Sequence, residues 1–462
     1  MGHPAAHPAH PALVDAAPAV FWLDQPDRPA PRAGLEGVRS ADLVVVGAGY
    51  SGLWTALLAK EADPSRDVLV LEAGSVGWAA SGRNGGFCAA SLTHGEPNGM
   101  ARWPQEYAAL RRLGRENLEA IEATVQRYGI ECDFRRSGSL TVATEPHQVE
   151  WLAEEPGELL DRDAVRAHLD SPTYLAGVYE PDETAMVDPA RLAWGLARAA
   201  ESLGVRIAEG ARVTGLSTAG SGVDVTTSDG DVIKAARVAL GTNAFPSLVR
   251  RTRLHTVPVY DYALMTEPLT DAQLDSIGWT SRAGVGDLAN QFHYYRLSAD
   301  NRILWGGYDA IYHYGRRLRP SLDQRPATFD RLAGHFFETF PQLEGLRFSH
   351  QWGGAIDTCT RFCAFYGTAH RGRVAYAVGF TGLGVGATRF GAQVMLDLLD
   401  GRQTERTRLQ MVREKPLPFP PEPLAYTGIQ LTRWSLARAD QRSGRRNLWL
   451  QALDKAGLGF DS

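Results

Sequence analysis

The stretch VVVGAGYSGLWTALLAKEADPSRDVLVLEAGS, Val44 to Ser75, limits what this chain can fold into more than any other. It grows out of an all-apolar run, Leu43 to Val46, of the kind that forms a strand buried on both faces. Gly47, Gly49 and Gly52 follow in a G-x-G-x-x-G array. Leu53, Ala56, Leu57 and Lys60 then recur at helical spacing, and DVLVLEA reads as a second buried strand. Strand, glycine turn, helix and strand within about 30 residues make one βαβ unit, which requires a parallel sheet covered by helices.

Glycine is abundant, 48 of 462 residues, so the array is a weak signal by itself. Its setting strengthens it, because it closes a buried strand and opens a helix. There Gly47 permits the tight turn, Gly49 lets the backbone approach a pyrophosphate, and Gly52 permits close helix–strand packing. The helix N-terminus offers N–H groups and the positive end of its dipole to phosphates. Glu72 stands 20 residues past Gly52 at the end of the second strand, where a carboxylate can accept from ribose hydroxyls. An acid there disfavours a 2′-phosphate and hence NADP. Two further loops separate FAD from NAD. GWAASGRNGGF (77–87) follows the βαβ unit directly, where a nicotinamide enzyme would continue with another βα unit. GFTGLGVGATRFGA (379–392) lies between a strand and a helix, placed to face a ring that gains negative charge on reduction.

The remaining pattern gives an α/β fold: a discontinuous Rossmann-like FAD-binding domain with an inserted α+β substrate domain on an antiparallel or mixed sheet. Residues 41–100, 185–253 and 345–402 are expected in the first, and 101–184 and 254–344 in the second. Residues 1–40, rich in Pro and Ala with three early histidines, read as a loosely packed N-terminal arm that VFWLD (20–24) pins to the body. Residues 403–462 read as a proline-rich connector and an amphipathic helix. A net charge of -5 invites no nucleic acid. No run of about 18 apolar residues predicts a membrane helix. The 4 cysteines are too few for a disulfide framework, and Cys359 and Cys363 lack the companions of a zinc site, so no metal is expected. The expected setting is the reducing cytoplasm, and the expected assembly a monomer or small homo-oligomer.

Five stretches together resemble the D-amino acid oxidase-like (DAO) family of FAD-dependent amine oxidoreductases, and within it the gamma-glutamylputrescine oxidase branch. They are GAGYSG with Glu72-Ala73, ASGRNGG (80–86), VPVYDYALMTEPL (257–269), YYRLSADNRILWGG (294–307), and WGGAIDT (352–358) leading to GFTGLGVG (379–386). The resemblance covers about 18–402. It implies that Gly47, Gly49, Ser51 and Gly52 hold the pyrophosphate, Glu72 and Ala73 the adenosine ribose, and Val213 the adenine. It places Arg83, Asn84, Gly85 and Gly86 on one side of the isoalloxazine, and Gly353, Gly354, Gly382, Leu383 and Gly384 on the other. Two departures stand out. Ala355 lies near where some members attach flavin to a cysteine, so non-covalent FAD is expected. Leu304 aligns where some oxidases keep a lysine near flavin N5, and no lysine lies between 234 and 415.

The implied chemistry is oxidation of a C–N bond of a primary or secondary amine or amino acid by hydride transfer to flavin N5. The imine is hydrolysed to an aldehyde or keto product, and oxygen reoxidises the flavin, giving peroxide. The alternatives are a dehydrogenase using another electron acceptor, an NAD-dependent Rossmann dehydrogenase, and a catalytically inactive flavin-binding protein. His293, Tyr294, Tyr295 and Tyr260 are the candidates to orient the amine. In an alternating strand only every second residue faces one side, so one of Tyr294 and Tyr295 must point away. Arg296, Arg302, Asp357 and Arg361 are read first as structural pairs.

Overall fold

The computed structural model describes residues 10–458. His3 and His7 fall outside the described residues. Two large sheets carry the chain, each with its own core.

The first sheet has eight strands. Ser40–Val46 lies at its centre, parallel to Val68–Leu71 on one side and to Val232–Leu240 on the other. Arg206–Ala208 and Val374–Val378 extend the parallel set outward. Phe365–Ala369 closes one edge antiparallel, and the hairpin Val213–Ala219/Gly222–Thr227 is attached to Val232–Leu240. The central strands are buried on both faces because helices cover the sheet, as a continuous apolar run requires. Helix Tyr50–Ala62 is buried nearly all round, between helices Gly384–Leu399 and Pro189–Ser202. The last of these starts cleanly: Pro189 occupies its first turn, and the Asp188 side chain accepts from the Arg191 N–H.

The second sheet is mixed and has nine strands. Its middle is the antiparallel series Thr256–Thr266, Ile303–Gly307, His293–Leu297 and Gly284–Asp287. Gly284–Asp287 then runs parallel to Ser139–Ala143, beyond which lie Ala176–Glu180 and Glu158–Leu160. Helix Pro326–Thr339 packs its Phe329, Leu332 and Phe336 onto the face away from the first sheet's loops.

Two segments differ from expectation. Phe348–Cys359, expected with the FAD-binding segments, is hydrogen-bonded along Thr256–Thr266 from Thr256↔Cys359 to Thr266↔Phe348. Without it, an eleven-residue strand would present an open edge. The described part of the arm is also not loose. Ala12, Leu13, Phe21, Trp22 and Leu23 are buried, His10 donates its N–H to Asp330, and its ring stacks on Phe337. Arg32 pairs with Glu201 and Glu209. Burial of two large aromatic side chains outweighs the cost of ordering this short stretch.

The site depends on one crossing. A Cβ at Gly52 would lie 1.9 Å from the Gly47 carbonyl oxygen, so no side chain fits there while the helix sits on its strand. Gly52→Ala is therefore expected to cost more than the roughly 1–3 kcal/mol of ordinary overpacking. Its denaturant midpoint should fall and FAD should be retained poorly; an unchanged midpoint would show the crossing to be looser than this.

Candidate active site

The C-terminal ends of the parallel strands open into a cavity of about 1730 Å³. In open α/β sheets this is where ligands bind. The cavity runs from the first sheet's glycine loops to the cavity-facing side of the second sheet.

At the first glycine turn, Gly47 has φ +100° and a Cβ there would meet the Gly241 oxygen at 2.6 Å. Gly49 is the N-cap of helix Tyr50–Ala62 and supplies no capping side chain. Ser81 Oγ accepts from the Tyr50 N–H at 2.9 Å. Ser51 Oγ is buried on the cavity wall without a hydrogen-bond partner among the described residues. An orphaned hydroxyl at an uncapped helix N-terminus is suited to a phosphate oxygen.

Glu72 is buried beside this turn. Its carboxylate accepts from the Ala48 N–H at 2.6 Å, the Gly74 N–H at 2.7 Å and Trp78 Nε1–H at 2.8 Å. Three donors fix both flanking loops and leave the carboxylate room for one more partner. Ala73 and Val213 line the cavity next to it. Farther along, Asn84 Oδ1 accepts from the Gly86 N–H, and its amide donates to the Ala80 and Ser81 carbonyls. Arg83 is held by Asp323 at 2.6 Å and donates to the Gly353 carbonyl. A Cβ at Gly85 would strike the Tyr294 ring, so this glycine lets loop and aromatic wall meet.

On the opposite side, helix Gly384–Leu399 begins at Leu383 without a side-chain cap. Gly382 has φ +91°, and a Cβ there would enter open space. Asp357, under this loop, accepts from the Gly379 N–H at 2.5 Å. Burial pushes its carboxyl up to about 7. Gly354 lines the cavity, whereas Gly353, one residue out of phase, lies beneath the Tyr262 ring. These features fit a flavin dinucleotide: an orphaned hydroxyl, two uncapped helix N-termini and glycines that leave space.

The comparisons with known proteins agree. The DAO model, FAD dependent oxidoreductase, matches residues 42–398. The chain belongs to the DAO family of FAD-dependent oxidoreductases. It is 31% identical to gamma-glutamylputrescine oxidoreductase of Escherichia coli over 405 residues, 82% of this chain and 88% of that protein. The probable oxidoreductase OrdL of Haemophilus influenzae is 28% identical over 402 residues, with the same coverage of 82% and 88%. Glycine oxidase from Geobacillus kaustophilus superposes with a TM-score of 0.65 at 20% identity, covering 79% of this chain and 96% of that one. The amino acid oxidase NikD gives a TM-score of 0.65 at 20% identity, covering 83% and 99%. As a DAO-family flavoprotein, the chain uses FAD, and the reading as an NAD-dependent dehydrogenase falls.

The four candidates for orienting an amine separate by strand parity. Tyr294 faces the cavity. His293 and Tyr295 flank it on the other side. Tyr295 Oη meets Tyr174 Oη at 2.5 Å inside the second core. His293 is held by Asp287 at 2.8 Å and His335 at 2.9 Å, its ring stacked between Trp305 and Tyr308. Tyr260 is also turned into the second core, where its hydroxyl accepts from the Arg319 N–H. Leu304 is fully buried in the first core. Arg296, Arg302 and Arg361 spend their donors on carbonyls and acids: Val187 O, Thr266 O with Asp300, and Cys363 O with Glu414 O.

Two contributors escaped the sequence reading. Asp261, on the cavity side of Thr256–Thr266, accepts from the Tyr294 hydroxyl at 2.6 Å, and burial pushes its carboxyl up to about 6. The signal for it was alternation: Val257, Val259, Asp261 and Ala263 share one face. The tail is the other. Beyond the family match, helices Leu424–Asp440 and Leu448–Lys455 wall the cavity with Leu424, Ile429, Leu436, Trp449 and Leu453. Asp440 latches the first by accepting from the Asn290 and Gln291 N–H groups.

Glu72→Ala should weaken FAD by roughly 1.5–3 kcal/mol, the scale of a hydrogen bond to a charged group, measured by fluorescence titration of apoprotein. Unchanged affinity would remove Glu72 from the site. Tyr295→Phe leaves the Tyr174 hydroxyl buried alone and should cost about 1–3 kcal/mol of stability with flavin content intact. Tyr294→Phe should instead slow substrate-dependent flavin reduction; the opposite pattern would reverse the assigned faces.

Proposed function

We propose that this flavoprotein oxidises a C–N bond of a primary or secondary amine or amino acid. The observation that carries this reading is the position of Tyr294. The aromatic strand of the second sheet and the glycine loop Arg83–Gly86 meet across one cavity, with Tyr294 against Gly85. The names of the relatives, gamma-glutamylputrescine oxidoreductase, glycine oxidase and an amino acid oxidase, support the substrate class.

In this reading Gly47, Gly49, Ser51 and Gly52 form the phosphate end, with Glu72, Ala73 and Val213 at the adenosine end. Arg83, Asn84, Gly85 and Gly86 line the ring from one side, and Gly354, Gly382, Leu383 and Gly384 from the other. Gly353 serves through its carbonyl, which positions Arg83. Bound FAD supplies a two-electron acceptor for the carbon next to the amine nitrogen. The chain's own contribution is to bind, orient and desolvate. Tyr294 offers a hydroxyl and a ring edge to the substrate, and the tail excludes bulk water from the chamber. Attachment is non-covalent in this reading, since Cys359 donates its thiol to the Cys363 and Gly379 carbonyls and Ala355 has no reactive group. The four cysteines are buried free thiols, which supports a reducing compartment such as the cytoplasm. Among the described residues, no helix is long and apolar enough to cross a membrane.

Oxygen is the proposed electron acceptor. One observation favours the second reading, a dehydrogenase: no lysine lines the cavity among the described residues. A single experiment addresses both. Amines and amino acids are added anaerobically to the yellow protein, flavin bleaching is followed, and air is then admitted. Bleaching by an amine, followed by recolouring within seconds and peroxide formation, is the expected result. Slow recolouring with rapid turnover on an artificial acceptor would establish the dehydrogenase. Bleaching by 2-hydroxy acids or alcohols and by no amine would overturn the amine assignment.

A further inference from the structure

Five acids line the cavity: Glu72, Asp261, Asp309, Asp357 and Asp454. Four are spoken for. Glu72 accepts three N–H bonds and Asp357 accepts from the Gly379 N–H. Asp309 is surrounded by Arg331 at 3.0 Å, Arg433 at 3.2 Å and Arg325 at 3.7 Å, and Asp454 pairs with Arg446 at 3.4 Å. Asp261 differs. It accepts from the Tyr294 hydroxyl and from the Tyr262 N–H, and among the described residues no arginine, lysine or histidine pairs with it. Its neighbours on the cavity face of the strand are Val259 and Ala263, and across the ladder stands Gly354, which adds no side chain. A carboxylate in an apolar wall is costly unless a cation meets it.

The geometry points to Asp261, presented with Tyr294 from the same cavity-facing side of the second sheet, as the receptor for a positively charged nitrogen of the substrate. The site would then select amines that carry an ammonium group over compounds recognised through a carboxylate. This rests on the amine reading above and narrows it. The groups facing Asp261 support the choice. Tyr294 is a neutral donor, its own ionisation pushed far upward by burial and by Asp261. Arg83, which packs against Gly354, is engaged by Asp323. His293 and Asp309 act at longer range and with opposite signs. Nothing on this patch would attract an anion, and a bound ammonium would relieve the burial that holds the carboxyl near 6.

The test uses the FAD-loaded protein and tert-butylammonium, which has no C–H on the carbon bearing nitrogen and so cannot be oxidised. Binding is read by calorimetry and by perturbation of the flavin spectrum. The wild type should bind tert-butylammonium and ignore pivalate, an anion of the same shape. Asp261→Asn should weaken the cation by about 10- to 100-fold, the scale of a charge-assisted hydrogen bond. The probe stays charged between pH 5 and 8, so affinity in the wild type should rise as pH passes about 6, where Asp261 ionises, and should be flat in Asp261→Asn. Tyr294→Phe keeps the carboxylate but removes a hydrogen bond that favours its charged form. That variant should still bind, with the pH midpoint moved upward, and it serves as the check should Asp261→Asn fold poorly. Equal binding by Asp261→Asn, preference for pivalate, or an unmoved midpoint in Tyr294→Phe would overturn the inference. If tert-butylammonium binds through Asp261 but no amine bleaches the flavin, the cation site stands and the oxidation reading fails. If amines bleach the flavin and the probe does not bind, the reverse holds.

Discussion

The cofactor half of this molecule depends on how closely the first helix crosses the first strand. The Gly47 carbonyl lies where a Cβ of Gly52 would be, and the Gly241 carbonyl occupies the place of a Gly47 side chain. Three backbones therefore meet with no side chain between them. The contact sets the tilt of helix Tyr50–Ala62 and aims its uncapped N-terminus at the cavity. It also brings the end of Val232–Leu240 beside the same turn, so the cavity opens where the parallel strands end. Glu72 then ties the turn to the following loop by accepting from three donors on the two.

The second sheet imposes a different constraint, that of period two. The strands that border the chamber, among them Thr256–Thr266 and His293–Leu297, present one face to a packed aromatic core and the other to the cavity. Tyr295, Tyr260 and Tyr262 belong to the core, beside Trp305 and Phe336. Tyr294 and Asp261 belong to the chamber. The same rule divides Gly353 from Gly354. A strand cannot offer two consecutive side chains to one ligand, so an aromatic pair in sequence contributes one wall residue and one core residue.

This explains what could be read from the residues alone. The βαβ unit, the three glycine loops and FAD were legible because each is local: a buried run, a turn and a helix start lie within one stretch. The helix at the 379–392 glycine loop, Gly384–Leu399, was legible for the same reason. The face of a strand was not legible, because it depends on partners far away in the chain. Thr256–Thr266 takes its register from Phe348–Cys359, about ninety residues later, and without that register the sequence pointed to Tyr260 and passed over Asp261. Trp22 was foreshadowed by VFWLD, whereas the place of Trp449 on the cavity wall was hidden for a similar reason, since the partners of the tail helices lie far away in the chain.

The tail gives the chamber its electrostatic character. The family match ends at residue 398, yet helices Leu424–Asp440 and Leu448–Lys455 supply much of the apolar wall. Their attachments are polar: Asp440 to Asn290 and Gln291, Gln430 to the Tyr312 carbonyl, Arg433 to Asp309. These bonds pair polar groups that share the cavity wall with the tail's apolar side chains. Removing water from the cavity strengthens every charge that stays inside it. Asp309 gains arginines and becomes structural. Asp261 has the Tyr294 hydroxyl and the Tyr262 N–H but, among the described residues, no cationic partner, so any water that the apolar wall displaces raises the cost of its negative charge. In the reading proposed above, selectivity at Asp261 would arise from two parts of the chain that share no sequence motif, a strand whose parity exposes one acid and a tail that adds apolar wall to the same cavity.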